Sequence, residues 1–373
     1  SNIDIDSSAG HIRSNAADDD AAEIITAGGT ISLEARDGIA DSSGADGFEI
    51  DSGGGNVTLV ADGTGAVFVD YVAADADALT LALTATAATG AMNYESAATG
   101  VLTLNAVSTA GNAVTISHAG NIAATSVTST TGNQTISTSS GDIAILGTAN
   151  PEFDLTTGVL DLTASGAITV TTNAANTDIS TDGNVALHAT GIGATNSLDI
   201  GLDADGGTLT VDSNGNAAVN IDAAADFAFT AVTITQAAAD NNIDIANATA
   251  GDLVDIDGAA GGVTLNSVIM TNDGAAFTYT LEEAAHTIAV TDINASSGAV
   301  NITGTDDITI ANSGSITATG AANIDIDASA GHIRSNAADD DAAEIITAGG
   351  TISLEARDGI ADVSGADGFE IDT

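Results

Sequence analysis

The chain of 373 residues contains no cysteine, no tryptophan, no lysine and a single proline, Pro151. Without cysteine there can be no disulfide, no zinc-thiolate site and no thiol nucleophile. The basic side chains are Arg13, Arg36, Arg334 and Arg357, so almost nothing is available to neutralise phosphate. That excludes nucleic acid as a partner and disfavours anionic membrane surfaces. No apolar run approaches the ~20 residues that a membrane-spanning helix requires, so no membrane insertion is expected in this segment. Aromatic residues make up only 3%.

What is present is acid, small residues and aliphatics. Fifty-two residues are Asp or Glu, the formal net charge is −48, and 42 residues are glycine. Hydrophobic residues still reach 44%, mostly Ala, Val, Ile and Leu. A charge-extended disordered chain would lack that regular supply of β-branched side chains. The opening Ser1-Asn2-Ile3-Asp4 fits a processed start or a window of something longer.

The strongest feature is an internal repeat. Residues 1–52 recur at 322–373, and the stretch Gly10–Asp41 returns unchanged as Gly331–Asp362. Four positions differ across the copies: Ser1/Ala322, Ser7/Ala328, Ser42/Val363 and Ser52/Thr373. This predicts a tandem array in which 1–321 is one unit and 322–373 begins the next. All four arginines lie in the repeated segment, leaving 53–321 without a single Lys or Arg.

Inside the unit, short runs alternate apolar and polar residues at period two, the pattern of a β-strand. Examples are Ile31-Ser-Leu33, Val57-Thr-Leu59, Leu102-Thr-Leu104, Ile143-Ala-Ile145, Ile168-Thr-Val170, Leu209-Thr-Val211, Leu253-Val-Asp-Ile256 and Ile308-Thr-Ile310. Gly, Asn and Asp punctuate them. Ile3 is followed by Ile31 and Val57, Ile12 by Ile39, and Ile24-Ile25 by Phe48-Glu-Ile50. Three strand positions thus advance together by about 26–27 residues, with shorter coils nearer ~20–24 in the middle of the unit. The expected fold is all-β: a parallel β-helix (β-solenoid), with three short strands per coil of roughly 20–27 residues. Stacked coils favour compact side chains inside and hydrogen-bonding Thr, Ser, Asn and Asp at corners.

Runs such as Gly29-Thr-Ile-Ser-Leu-Glu-Ala-Arg-Asp-Gly-Ile39 and Gly55-Asn-Val-Thr-Leu-Val-Ala-Asp-Gly63 resemble the repeats of filamentous-haemagglutinin-like adhesins. That resemblance is one of style and covers nearly the whole chain. It implies a right-handed β-helical shaft, an extracellular location and a fibrous, adhesive or matrix role, with no catalytic residue to carry over. The family's N-terminal secretion domain has no counterpart in this sequence, which leaves the export route open.

Asp18, Asp19 and Asp20 with Glu23, repeated as Asp339, Asp340 and Asp341 with Glu344, offer clustered oxygen ligands for calcium. The alternative is a solvated corner in a strongly acidic chain. Asp203-Ala-Asp205 and Asp212-Ser-Asn214 are weaker, since neither continues into a full calcium loop. His11, His118, His188, His286 and His332 lack metal-ligand spacing and are expected as solvent or turn residues. Arg13 and Arg36 are expected to relieve repulsion from nearby acids.

A hydrolase needs only a carboxylate pair, whereas a lyase acting on acidic sugars wants a base that 53–321 lacks. A scaffold suits tandem copies better than a catalyst does. We therefore expect a non-catalytic structural or adhesive segment of an extracellular surface filament. Its expected partners are copies of itself and a cell-surface or glycan receptor. A calcium-dependent ligand- or carbohydrate-binding adhesion module is the alternative.

Overall fold

The structure, a computed structural model, describes the chain apart from residues 16–20, 41–46, 87–89, 150, 173–176, 194–195, 197, 202–206, 214–218, 224–228, 237–242, 247–262, 266–267, 273–277, 284–287, 296–298, 305, 319–322, 336–342 and 363–368. Among the described residues there is no helix, and the described strand pairings are all parallel. Strands at one position of successive coils stack into ladders, as in a β-solenoid. The chain packs as two compact units, Ser1–Gly183 and Asn184–Thr373.

In the first unit the alternation of Ile31–Ala35 sets the rule. Ile31, Leu33 and Ala35 are wholly buried while Ser32 and Glu34 stay at the surface. The ladder through this strand takes Ile3 to Ile31, Val57 and Leu81, then Leu79 to Leu102, Ile122, Ile143 and Ile168. Each step aligns aliphatic side chains ~4.8 Å apart, so every coil closes the core of the one before. The spacings read from the sequence are those of the structure: Ile12 pairs with Ile39, and Ile24 with Ile50.

The number of strands per coil changes along this unit. In the first two coils the second and third strands are separate, as at Gly38–Ala40 and Phe48–Asp51. Both then pair with the single strand Val67–Tyr71, so that corner straightens. The opposite face later breaks: Leu102–Thr109 carries a register shift and splits its pairing between Ile122–Ala124 and Val127–Ser129.

The second unit runs its first ladder from Leu198 to Ile221, Val219 to Ile243, and Ile243 to Tyr279, Val300, Ile324 and Ile352. The step from Ile243 to Tyr279 is longer than the expected coil and includes 247–262. The run Leu253–Ile256, expected as a strand, lies outside the described residues.

Corners are held by two recurring devices. In the first, an inward hydroxyl accepts a hydrogen bond from the backbone N–H of a glycine three residues later. Thr26 with Gly29 (3.2 Å), Ser52 with Gly55 (3.2 Å), Ser129 with Gly132 (3.0 Å) and Thr347 with Gly350 (3.3 Å) all do this. These are ST-turns, which give the buried bend its own hydrogen bonds. In the second, an Asn or Asp oxygen catches an amide of the next coil. Asn2 takes Thr30 N at 3.0 Å, Asn133 takes Val159 N at 3.1 Å, and Asn323 takes Thr351 N at 3.0 Å.

Candidate functional site

Of the residues proposed for calcium, Glu23 and Glu344 are described; Asp18, Asp19, Asp20, Asp339, Asp340 and Asp341 lie outside the described residues. Each glutamate sits immediately before the third strand of its coil, and each spends both carboxylate oxygens on its neighbours. Ser14 Oγ donates to Glu23 Oε1 at 2.6 Å, and the Glu49 amide donates to Oε2 at 3.0 Å. In the second copy Ser335 Oγ donates to Glu344 Oε1 at 2.9 Å, and the Glu370 amide to Oε2 at 2.8 Å. Burial raises the Glu23 carboxyl, but the bonds from Ser14 and Glu49 outweigh it and hold it below the ordinary glutamate value. The same side chain therefore ties the second strand of its own coil to the third strand of the next. A cation bound there would have to displace those donors.

Glu152, just before Phe153, bonds within its own turn and does not bracket two coils. Its Oε1 accepts from Ala149 N at 2.7 Å, while Oε2 is buried without a hydrogen-bond partner. Burial pushes this carboxyl above the ordinary value despite the backbone donors.

The first unit carries an open acidic groove of about 480 Å³. Glu49, Asp70 and Glu95 line it from three successive coils, in register, with Tyr71, Ser96 and Ser117 alongside. Like charges stacked at a coil spacing repel. The Asp70 carboxyl is pressed against backbone: a Cβ on Gly47 would lie 2.1 Å from Asp70 Oδ2. Tyr71 donates to Asp51 Oδ1 at 3.3 Å, and burial with the charges of Asp51 and Asp75 pushes its phenol up to about 12. Among the described residues no group of three or more His, Asp or Glu side chains is placed to hold a metal ion. The groove concentrates negative potential and gathers counter-ions without a closed ligand shell.

In the second unit, Asp307 gathers His332 and Arg334 of the repeated segment. His332 N donates to Asp307 Oδ1 at 2.7 Å, His332 Nδ1 lies 3.0 Å from the same oxygen, and Arg334 Nε lies 3.6 Å from Oδ2. Burial raises the Asp307 carboxyl, yet the His332 amide, its imidazole and the Arg334 guanidinium together bring it below the usual carboxylate value. Arg334 thus pairs with the preceding coil. His188 Nδ1 similarly lies 3.5 Å from Asp212 Oδ2. Asp203, Asp205, Asn214 and His286 lie outside the described residues.

The expectation that every histidine is a solvent or turn residue fails at His118, which is 1% exposed. Its strand position points inward, between Ser96 and Thr138 of the adjoining coils. Asn112 and Gln134, both buried, were likewise not singled out by sequence. Asn112 Nδ2 donates to the Gly90 carbonyl, and Gln134 Nε2 to Thr109 Oγ1 at 3.4 Å and Gly132 O at 3.3 Å. The available signal was period-two position, and it holds for Gln134, which falls where the adjoining coils place Val114 and Leu160. Chemically, then, the described polar side chains form corner brackets and coil-to-coil clamps. Comparison with protein families, characterised proteins and solved structures returns no match.

Proposed function

We propose that this chain is a non-catalytic structural or adhesive segment of a long extracellular surface filament, one in which length is built coil upon coil. The observation that carries the proposal is the repeated bracket. Ser14–Glu23–Glu49 and Ser335–Glu344–Glu370 make the same set of bonds in two copies of one sequence. Glu23 and Glu344, the described members of the two acidic clusters, are spent on joining one coil to the next, and the joint recurs with the repeat. Solenoids extend by such nearest-neighbour contacts without a closed core, which suits a spacer or fibre. The charge of −48 keeps such a fibre hydrated and separate from its neighbours. Antibodies raised against the purified chain should label extended material on the outside of intact source cells in electron microscopy. Label confined to the interior of permeabilised cells overturns the proposal.

A further inference from the structure

A column of polar side chains runs through the interior of the first unit. Tyr71, Ser96, His118 and Thr138 stand in register on successive coils, each the last residue of its strand and each at most 7% exposed. The outer two are satisfied by the chain. Tyr71 donates to Asp51 Oδ1 at 3.3 Å, and Thr138 donates to the Gly120 carbonyl eighteen residues back. His118 makes the matching bond through Nε2, 2.8 Å from the Gly100 carbonyl eighteen residues back. The inner pair is left incomplete: Ser96 Oγ and His118 Nδ1 are buried and find no hydrogen-bond partner in the chain. Tyr94 Oη is in the same position. Tyr94 shares the inward face of strand Met92–Ser96 with Ser96, two residues on, and has 0% exposure. Burial raises its phenol, and the adjoining Ser96 hydroxyl opposes that shift.

We infer that a single water molecule binds between Tyr94 Oη, Ser96 Oγ and His118 Nδ1 and ties the two coils together. Ser96 and His118 face each other across one coil spacing of ~4.8 Å, and Tyr94 stands one strand repeat from Ser96. Buried polar groups find hydrogen-bond partners as a rule, and an internal water makes about three bonds to groups that otherwise have none. Polar atoms on facing side chains that stand too far apart to bond directly are the usual setting for such a bridge.

The chemistry of the three atoms selects water. Nε2 gives its proton to a carbonyl, so Nδ1 only accepts, while each hydroxyl both donates and accepts. One water donates to Nδ1 and to one hydroxyl and accepts from the other, which leaves none of the three atoms without a bond. With the imidazole neutral no member of the trio is charged, so neither a cation nor an anion is matched there. Ser96 also lines the open groove beside Ala97 and Ser117, which sets the site one side chain away from bulk solvent. The bridge is a coil-to-coil clamp made through solvent, where Thr138 makes one directly. It goes beyond the filament proposal and holds whether or not the chain forms a fibre.

A high-resolution crystal structure of the whole chain tests it. One solvent peak should lie about 2.7–3.2 Å from each of Tyr94 Oη, Ser96 Oγ and His118 Nδ1. A double-mutant cycle reads the same bridge in solution, because Tyr94 Oη and His118 Nδ1 make no hydrogen bond to each other. Tyr94→Phe and His118→Leu should each shift the unfolding equilibrium. The double variant should fall short of the product of the two shifts by at least about twofold, as expected for groups that share one partner. An empty site overturns the inference. So does a direct bond between Ser96 Oγ and His118 Nδ1, or a peak at the ~2.0–2.6 Å contacts of a metal ion. Additive losses in the cycle overturn it equally. Where His118→Leu does not fold, the crystal structure decides alone.

Discussion

His118 and Gly100 are joined across one coil step: the imidazole Nε2 lies 2.8 Å from the Gly100 carbonyl oxygen. A carbonyl only accepts, so Nε2 carries the proton, and Nδ1 is left as a buried acceptor without a hydrogen-bond partner. Burial lowers the His118 pKa, outweighing the opposing effect of the Gly100 carbonyl. A histidine held neutral contributes stability above its unfolded value of ~6.5 and loses it as pH falls toward the folded value. Global charge works the other way, since acid relieves repulsion among carboxylates. The comparison with His118→Gln separates the two. Between pH 7.5 and 5.5 the melting temperature of the wild type should fall relative to that of the variant. A constant difference across that range rejects the assignment.

The two glutamate brackets predict unequal costs for one substitution. Glu344 is 2% exposed, and its carbonyl accepts from Ile316 N of the preceding coil at 2.7 Å. Glu23, at the start of the chain, is exposed. Removing charge from a dry, doubly bonded carboxylate costs about 1–3 kcal/mol, and from an exposed one under ~1 kcal/mol. Glu344→Gln should therefore lower stability in urea unfolding clearly more than Glu23→Gln. Equal effects would mean that the bracket owes nothing to burial.

Much of this fold is legible because coil spacing writes itself into period-two runs. Ile3, Ile31 and Val57 lie on one ladder, and Ile12 and Ile39 on another, as alternation requires. Polar residues facing inward are not legible by the same rule. His118, Asn112 and Gln134 carry no hydrophobic signal, yet all are buried, because corners need hydrogen bonds as much as strands need aliphatics. Two short patterns mark those corners in retrospect. One is Ser or Thr three residues before Gly, as in Ser129-Thr-Thr-Gly132; the other is Glu just before the third strand, as in Glu23-Ile24. The acid run at Asp18–Asp20 drew attention, but the adjacent Glu23 does its work with Ser14 and Glu49.

Gly158 shows why small residues recur at a stacked corner. A Cβ on Gly158 would lie 2.2 Å from Gly132 O, and one on Gly183 would lie 1.9 Å from Gly158 O. The chain passes so close to the next coil that backbone meets backbone at each step. Gly158→Ala should cost about 1–3 kcal/mol through forced displacement of a coil. Thr131→Ala, at an exposed position beside Gly132 in the same corner, serves as the control. A Gly158→Ala protein that melts with the wild type would show that this corner yields freely.

The charge of −48 sets the last prediction. Coils ~4.8 Å apart place carboxylates of neighbouring coils well inside the Debye length of ~8 Å at physiological salt. Repulsion therefore opposes the stacked state most strongly when ions are scarce, and the column Glu49–Asp70–Glu95 is one place where it accumulates. Raising sodium chloride from about 10 mM, where the screening length is ~30 Å, to about 150 mM should raise the melting temperature by several degrees. Divalent ions should do the same at lower concentration, because they screen more strongly per ion. Calcium and magnesium at equal concentration should act alike, since Glu23 and Glu344 already spend their oxygens on protein donors. An increment specific to calcium, lost on replacing Asp18, Asp19 and Asp20 by Asn, would instead establish chelation at that corner. No response to any salt would show that repulsion between coils does not limit the stability of this fold.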